Sequence, residues 1–224
     1  MRVKIRRKYN GREESFWEYF QYDGAKEISV AGLLDILNYK DDITNESGDI
    51  VPRIMWSCSC LQGMCGACAM VINGRPALAC ETFLRDLGEE IVLEPLSKFP
   101  VISDLVVDRS IIHENLSKAN VYIQKFGESK ANEYEYQYTV AKCLKCGLCL
   151  EVCPNYTSGE DFFGALFAND CYLISSRSKV QDNAIRKEYA AHFARGCSKS
   201  FACMDVCPME IPTLTSMAKM NHRG

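Results

Sequence analysis

Thirteen cysteines against three histidines set this 224-residue chain apart, and eleven of them fall into three spaced runs. The first run is Cys60-x4-Cys65-x2-Cys68, with Cys80 after a further stretch of chain. That spacing is the plant-type ligand pattern of a [2Fe–2S] cluster. Two irons need four thiolates, and a tight loop gathers three of them. Gly63 and Gly66 let the backbone wrap closely and turn N–H groups toward the sulfurs. The second run, Cys143-x2-Cys146-x2-Cys149-x3-Cys153-Pro154, is the bacterial ferredoxin pattern, whose fourth cysteine serves a different cluster. The third, Cys197-x5-Cys203-x3-Cys207-Pro208, echoes the second with Ser200 where the middle cysteine would stand. If the two runs exchange their last cysteines, Cys143, Cys146, Cys149 and Cys207 form a four-thiolate set for [4Fe–4S]. Cys153, Cys197 and Cys203 are then one thiolate short, which favours [3Fe–4S]. Ligation of a fourth iron by the Ser200 oxygen is the open alternative.

Other uses of these thiols fit less well. An odd count argues against a fully paired disulfide framework. A zinc module would place a second Cys-x-x-Cys or a His pair within roughly 12–20 residues of the first. Here the pair after Cys65 and Cys68 is Cys143 and Cys146, and no histidine lies beside any run, which also disfavours a Rieske centre. Cys58 and Cys171 are left over and read as packed or spare thiols. His113, His192 and His222 lie far apart in sequence. The chain carries no Gly-rich dinucleotide fingerprint, phosphate loop or nucleophile elbow. No catalytic residue and no substrate site are therefore expected in this chain. Three one-electron centres without a substrate site describe a wire. One end should meet a two-electron partner, most simply a flavin in another chain, and the other end a second partner.

Composition bounds the rest. The chain is 47% hydrophobic and 25% charged, a globular balance that excludes disordered and fibrous classes. A net charge of −3, with dispersed basic residues, gives no pull toward nucleic acid. The longest uncharged run, residues 54–74, carries four cysteines, three glycines and several polar residues, so insertion into a bilayer would be costly. A soluble, cytosolic chain with reduced thiols is expected.

The elements that position the cysteines follow from pattern. Val3 and Ile5 alternate with basic residues, predicting a half-exposed edge strand, with a turn at Asn10-Gly11 and a second strand over Phe16 to Tyr22. Ser29 is placed to cap a helix carrying Val30, Leu33, Leu34, Ile36 and Leu37. After a polar loop over residues 41–48, a short strand is expected near Ile54–Trp56, ahead of the first run. Ala69–Ile72, Asn73-Gly74 and Pro76–Ala79 read as a hairpin, and Ile91–Leu93 as a closing strand. From about Asp104 helical periodicity takes over: Leu105, Val106, Ile111, Ile112 and Leu116, then Phe162 to Phe167, then Ile185 to Phe193. Two domains are expected, 1–105 and 106–224.

The combination and order of these runs resembles the iron–sulfur subunit of the succinate dehydrogenase/fumarate reductase family. The resemblance rests on Cys60-Leu-Gln-Gly-Met-Cys65-Gly-Ala-Cys68-Ala-Met-Val-Ile-Asn-Gly74, the Ala79-Cys80 closure, Val101-Ile-Ser-Asp-Leu-Val-Val-Asp108 and both Cys-Pro motifs, and it covers nearly the whole chain. It implies an α+β protein: a plant-type ferredoxin-like (β-grasp) N-terminal domain, then an all-α bacterial ferredoxin-like domain holding the [4Fe–4S] and [3Fe–4S] clusters. It further implies that the [2Fe–2S] centre faces a flavoprotein subunit, which binds FAD and interconverts succinate and fumarate. The [3Fe–4S] centre would lie nearest a membrane-anchor subunit with its quinone, making this chain peripheral on the inner face of the cell membrane. Succinate-oxidising members usually carry a tryptophan shortly after the first Cys-Pro and a histidine just after the cysteine that opens the last run. Asn155–Ser158 and Ser198 stand there instead, so no quinone residue is assigned. A soluble flavin-dependent fumarate or related enoate reductase with a non-quinone donor is the alternative setting for the same wire.

Overall fold

The computed structural model describes residues 1–9, 11–124 and 133–222, which divide into two compact units, Met1–Asp108 and Arg109–Gly224. The expected turn at Asn10 lies outside the described residues. In the first unit, β1 (Arg2–Arg7) and β2 (Phe16–Gln21) pair antiparallel, from Arg2 opposite Gln21 to Arg7 opposite Phe16. β1 also runs parallel to β7 (Glu90–Glu94). With the hairpin β5 (Ala69–Ile72) and β6 (Arg75–Leu78), they form one mixed sheet in the order β2-β1-β7-β5-β6.

β1 is half-exposed as its alternation predicts, but it is an inner strand and not an edge; β2 takes the edge. Its outer face is a ladder of cations on aromatic rings, with Arg2 over Tyr19 at 4.1 Å and Lys4 over Trp17 at 4.4 Å. Its inner face sends Val3 and Ile5 into a core with Phe20, Ile91 and Leu93, against Leu33 and Leu34 of α1 (Val30–Tyr39). The Ser29 hydroxyl accepts from the Gly32 amide at 3.2 Å, a cap worth about 1 kcal/mol. Asn73 and Gly74 turn the β5–β6 hairpin at φ of 48° and 75°, as the Asn-Gly pair predicts.

Two expectations give way here. Ile54–Trp56 forms no strand; Asn38 of α1 holds it instead, bonding both the N–H and the C=O of Ile54 at 2.8 Å. The polar loop before it folds into a short ladder, β3 (Ile43–Thr44) with β4 (Ile50–Val51), around Asn45, whose side chain accepts from the Ser47 and Asp49 amides. Helical structure also starts later than expected. Val101–Ser103 (β8) pairs with Val106–Val107 (β9), and the first helix of the second unit, α2 (Ser110–Lys118), follows.

The same inner face of β1 ends in Arg7, which has no exposed surface. Its guanidinium meets Glu18 of β2 at 2.5 Å and Asp104 at 3.0 Å, and donates to the Pro52 and Arg53 carbonyls. Asp104, itself 1% exposed, also accepts from the Lys8 and Met55 amides. One cation thus ties two strands, the β8–β9 turn and the segment leading into the first cysteine loop.

The described elements of the second unit are all helical. α5 (Gly164–Arg177) is the central one, packing against α3 (Tyr134–Ala141), α4 (Leu148–Glu151), α6 (Asp182–Tyr189) and α8 (Thr213–Asn221). α6 runs on into a π-turn over Ala190–Ala194, and a one-turn helix, α7 (Ala202–Asp205), packs against α4. Phe163, Phe167, Tyr172, Ile185 and Phe193 fill the core together with Cys171, which is fully buried there as a packing residue.

Replacing Arg7 with methionine strands two buried carboxylates, and the stability of the first unit should fall by about 3–5 kcal/mol. Denaturant titration followed by circular dichroism reads this directly; an unchanged midpoint would show that the cation is dispensable.

Candidate iron–sulfur sites

The first cysteine run folds as a loop from Cys60 to Cys68. Gly63 and Gly66 adopt φ of 69° and 73°, and a Cβ added at Gly63 would come 2.7 Å from a Glu81 carboxylate oxygen. Leu61 takes φ of 55°, a conformation that costs a branched side chain roughly 1–2 kcal/mol. Amide-to-sulfur contacts offset that strain. The N–H groups of Gln62 and Met64 donate to Cys60 Sγ at 3.4 and 3.3 Å, Gly63 to Cys80 Sγ at 3.2 Å, and Ala67 to Cys65 Sγ at 3.5 Å. The β5–β6 hairpin, with Ala69 opposite Leu78, carries Cys68 and Cys80 from its two open ends to an Sγ–Sγ distance of 3.3 Å. That is well beyond a disulfide bond of about 2.05 Å. The hairpin thus brings Cys68 and Cys80 together, and backbone donors are already aimed at the sulfurs of Cys60, Cys65 and Cys80.

These contacts act unequally on the thiols. The Gln62 amide, with the Cys65 thiol and the Met64 amide, lowers the Cys60 pKa to about 7. Burial, reinforced by the Cys68 thiol, pushes Cys80 up to about 12.

The second and third runs surround two adjoining cavities in the second unit. Cys143, Cys146, Cys149 and Cys207 line one, walled by Leu144, Leu148, Leu166 and Ile211. Cys153 and Cys197 line the other together with Ser198, Lys199 and Ser200. Cys203 borders both. Burial raises Cys146 and Cys203 to about 11 and lifts Cys149 well above the ordinary thiol range. Thiols gathered in apolar walls and held protonated by burial suit a cationic metal core, which replaces the protons when the thiolates bind. Among the described residues, no group of three or more His, Cys, Asp or Glu closes on a single metal ion. Cys58 is exposed and lines neither cavity.

The echo between the two runs extends to the backbone. Lys145 and Lys199 both take left-handed φ, 53° and 59°. Gly147 and Phe201, at 88° and 60°, each precede a four-residue helix, α4 and α7. Ser200 thus occupies the frame that holds Cys146. Sequence spacing locates the cysteines but not what surrounds them. Arg109 donates to the Cys146 carbonyl at 2.9 Å, and Lys145 meets Asp170 of α5 at 2.5 Å. Neither contact has a spacing signature, since each joins separate elements.

Residues 2–114 match the family model of a 2Fe-2S iron–sulfur cluster binding domain, and residues 139–211 that of a 4Fe-4S dicluster domain. The succinate dehydrogenase iron–sulfur subunit of Bacillus subtilis is 32% identical over 216 residues, covering 90% of this chain and 85% of its own length. The fumarate reductase iron–sulfur subunit of Wolinella succinogenes is 29% identical, covering 96% of this chain and 94% of its own. A chain of the Mycobacterium smegmatis Sdh1 complex in the apo form shares the fold at a TM-score of 0.75 and 21% identity, over 98% of this chain and 94% of that one. The cofactors are accordingly iron–sulfur clusters, and the fold is the expected α+β combination of a 2Fe-2S domain and a helical dicluster domain. No helix among the described residues is long and apolar enough to cross a membrane. The chain belongs to the iron–sulfur subunits of succinate dehydrogenase and fumarate reductase complexes, and its part in such an oxidoreductase is electron transfer alongside a flavoprotein subunit.

Proposed function

We propose that this chain relays single electrons between the FAD of a flavoprotein subunit, where succinate and fumarate interconvert, and a quinone held at a membrane-anchor subunit. Attachment to the inner face of the cell membrane would come through that anchor. Cys60, Cys65, Cys68 and Cys80 would hold [2Fe–2S] in a domain spanning 1–105. Cys143, Cys146, Cys149 and Cys207 would hold [4Fe–4S], and Cys153, Cys197 and Cys203 would hold [3Fe–4S], in a domain spanning 106–224.

Bound clusters of these types take up and release one electron at a time. The residues supply the setting. Amides of Gln62, Gly63 and Met64 offer fixed donors to sulfur, which stabilise added negative charge. Leu148, Leu166 and Ile211 keep water from the four-thiol cavity and make nearby charges count for more.

The observation that supports this reading is the pair of adjoining cavities: Cys143, Cys146, Cys149 and Cys207 line one, Cys153 and Cys197 line the other, and Cys203 borders both. Ser200 supports a three-iron centre, because its shared backbone frame with Cys146 presents an alcohol where the sister site presents a thiol.

Electron paramagnetic resonance on the anaerobically purified complex should find three centres, including a three-iron signal in the oxidised state. A flavoprotein and a hydrophobic anchor should co-purify. Two centres only, or a complex without an anchor, would sink the relay as stated. Ser200→Cys supplies the missing thiolate, so the oxidised three-iron signal should disappear and the iron content per chain should rise. A variant that keeps the signal at wild-type strength would refute the placement of Ser200.

A further inference from the structure

One charged pair stands beside the four-thiol cavity without an obvious structural reason. Lys145 lies between Cys143 and Cys146 and borders that cavity with them. Its ammonium reaches Asp170 on α5 at 2.5 Å, and the two side chains are only 24% and 12% exposed. Taking an ion pair out of water seldom stabilises a fold more than apolar residues of similar volume would. The sister run shows that the backbone does not demand it. Lys199 has the same left-handed conformation beside the other cavity and is exposed.

The pair is also polarised with respect to the cavity. Lys145 lines the wall, whereas Asp170 stands behind it, with Asn169 and not Asp170 reaching the lining. Arg109 adds a second cation through its bond to the Cys146 carbonyl. Each electron entering a thiolate-bound cluster adds a negative charge, so a fixed cation in a water-poor wall lowers the energy of the reduced state. An anion behind the cation takes part of that effect away.

We propose that Lys145 and Asp170 are positioning residues that together set the reduction potential of the four-iron centre, Lys145 raising it and Asp170 limiting the rise. This rests on the ligand set proposed above. It adds that the potential is divided between two residues of opposite sign on different elements.

The test is a redox titration of the intact complex, followed by electron paramagnetic resonance, with iron and sulfide content confirming cluster assembly. Asp170→Asn should shift the midpoint of the four-iron centre to more positive values, because Lys145 is left uncompensated. Lys145→Met should shift it to more negative values. The double variant Lys145→Met/Asp170→Leu should shift it negative by less than Lys145→Met alone, and Lys145→Arg should stay near wild type. A purely structural role would weaken cluster retention without shifts of opposite sign. Unmoved midpoints, or shifts in one direction for both single variants, with the cluster intact would overturn the proposal. If a single variant does not retain the cluster, the double variant decides: a negative shift supports the pair and an unmoved midpoint overturns it. A wild-type complex lacking a four-iron signal would instead overturn the ligand set, and this proposal with it.

Discussion

Thiols crowded into a small volume resist ionisation, and the whole architecture answers that constraint. Each thiolate brought near another raises the energy of both, and apolar walls add a desolvation penalty. The two units meet this differently. In the first, exposed loop amides are aimed at sulfur and already favour the Cys60 thiolate, while Cys80, at the hairpin end, depends on an incoming cation. In the second, burial dominates and the thiols of Cys146, Cys149 and Cys203 are all pushed upward. Cluster binding at these thiols is thereby linked to proton release.

Thiols placed for a shared metal core need a scaffold that keeps them in place. In the first unit the scaffold runs through Arg7, whose partners come from β2, from the β8–β9 turn and from the segment entering the loop. Met55, whose amide Asp104 accepts, stands five residues before Cys60 in sequence, so the entry to the loop is pinned by the same polar cluster. Apolar packing could hold the sheet, as Val3, Ile5 and Leu93 do. It could not fix the direction of a segment outside any helix or sheet, which needs hydrogen bonds to its backbone. In the second unit α5 has the corresponding role. It touches four of the other helices and presents Leu166 and Asn169 to the four-thiol cavity.

What the sequence disclosed and what it hid divide along the same line. Short-range chemistry was legible: the cysteine spacings, the Asn73-Gly74 turn, and Ser29 as a helix cap all act within a few residues. Long-range partnership was not. The alternation of Val3 and Ile5 reveals that β1 has one buried face, but its parallel partner β7 is remote in sequence, so an edge and an inner strand look alike. Arg7 follows the same alternation inward, yet an arginine in the middle of the basic run Arg6-Arg7-Lys8 gives no hint of burial until Glu18 and Asp104 are placed. The ladder around Asn45 escaped because a side chain's bonds to local amides, and not apolar periodicity, drive it. Val106 and Val107 fit a helical stripe by type, while their pairing with Val101 and Ser103 decides for strand.

The repeated frame of the second unit shows how little needs to change for two sites to differ. Lys145 and Lys199, Gly147 and Phe201, α4 and α7, and the two Cys-Pro exits match in order, and the matched residues share the sign of φ. A left-handed conformation is easy for Gly147 and costly for Phe201, so the frame is kept in the third run against local preference. Such strain persists only where the surroundings over-determine it. Cys203, shared by the walls of both cavities, is a reason for that over-determination, because a shift in α7 would disturb both thiol sets at once. With the backbone so constrained, side chains are left to distinguish the sites. A hydroxyl replaces a thiol at Ser200, and an exposed lysine at Lys199 replaces the half-buried, paired Lys145. Under the proposed ligand sets, the first exchange would bear on how many irons a site can hold, and the second on how readily the four-iron centre takes an electron.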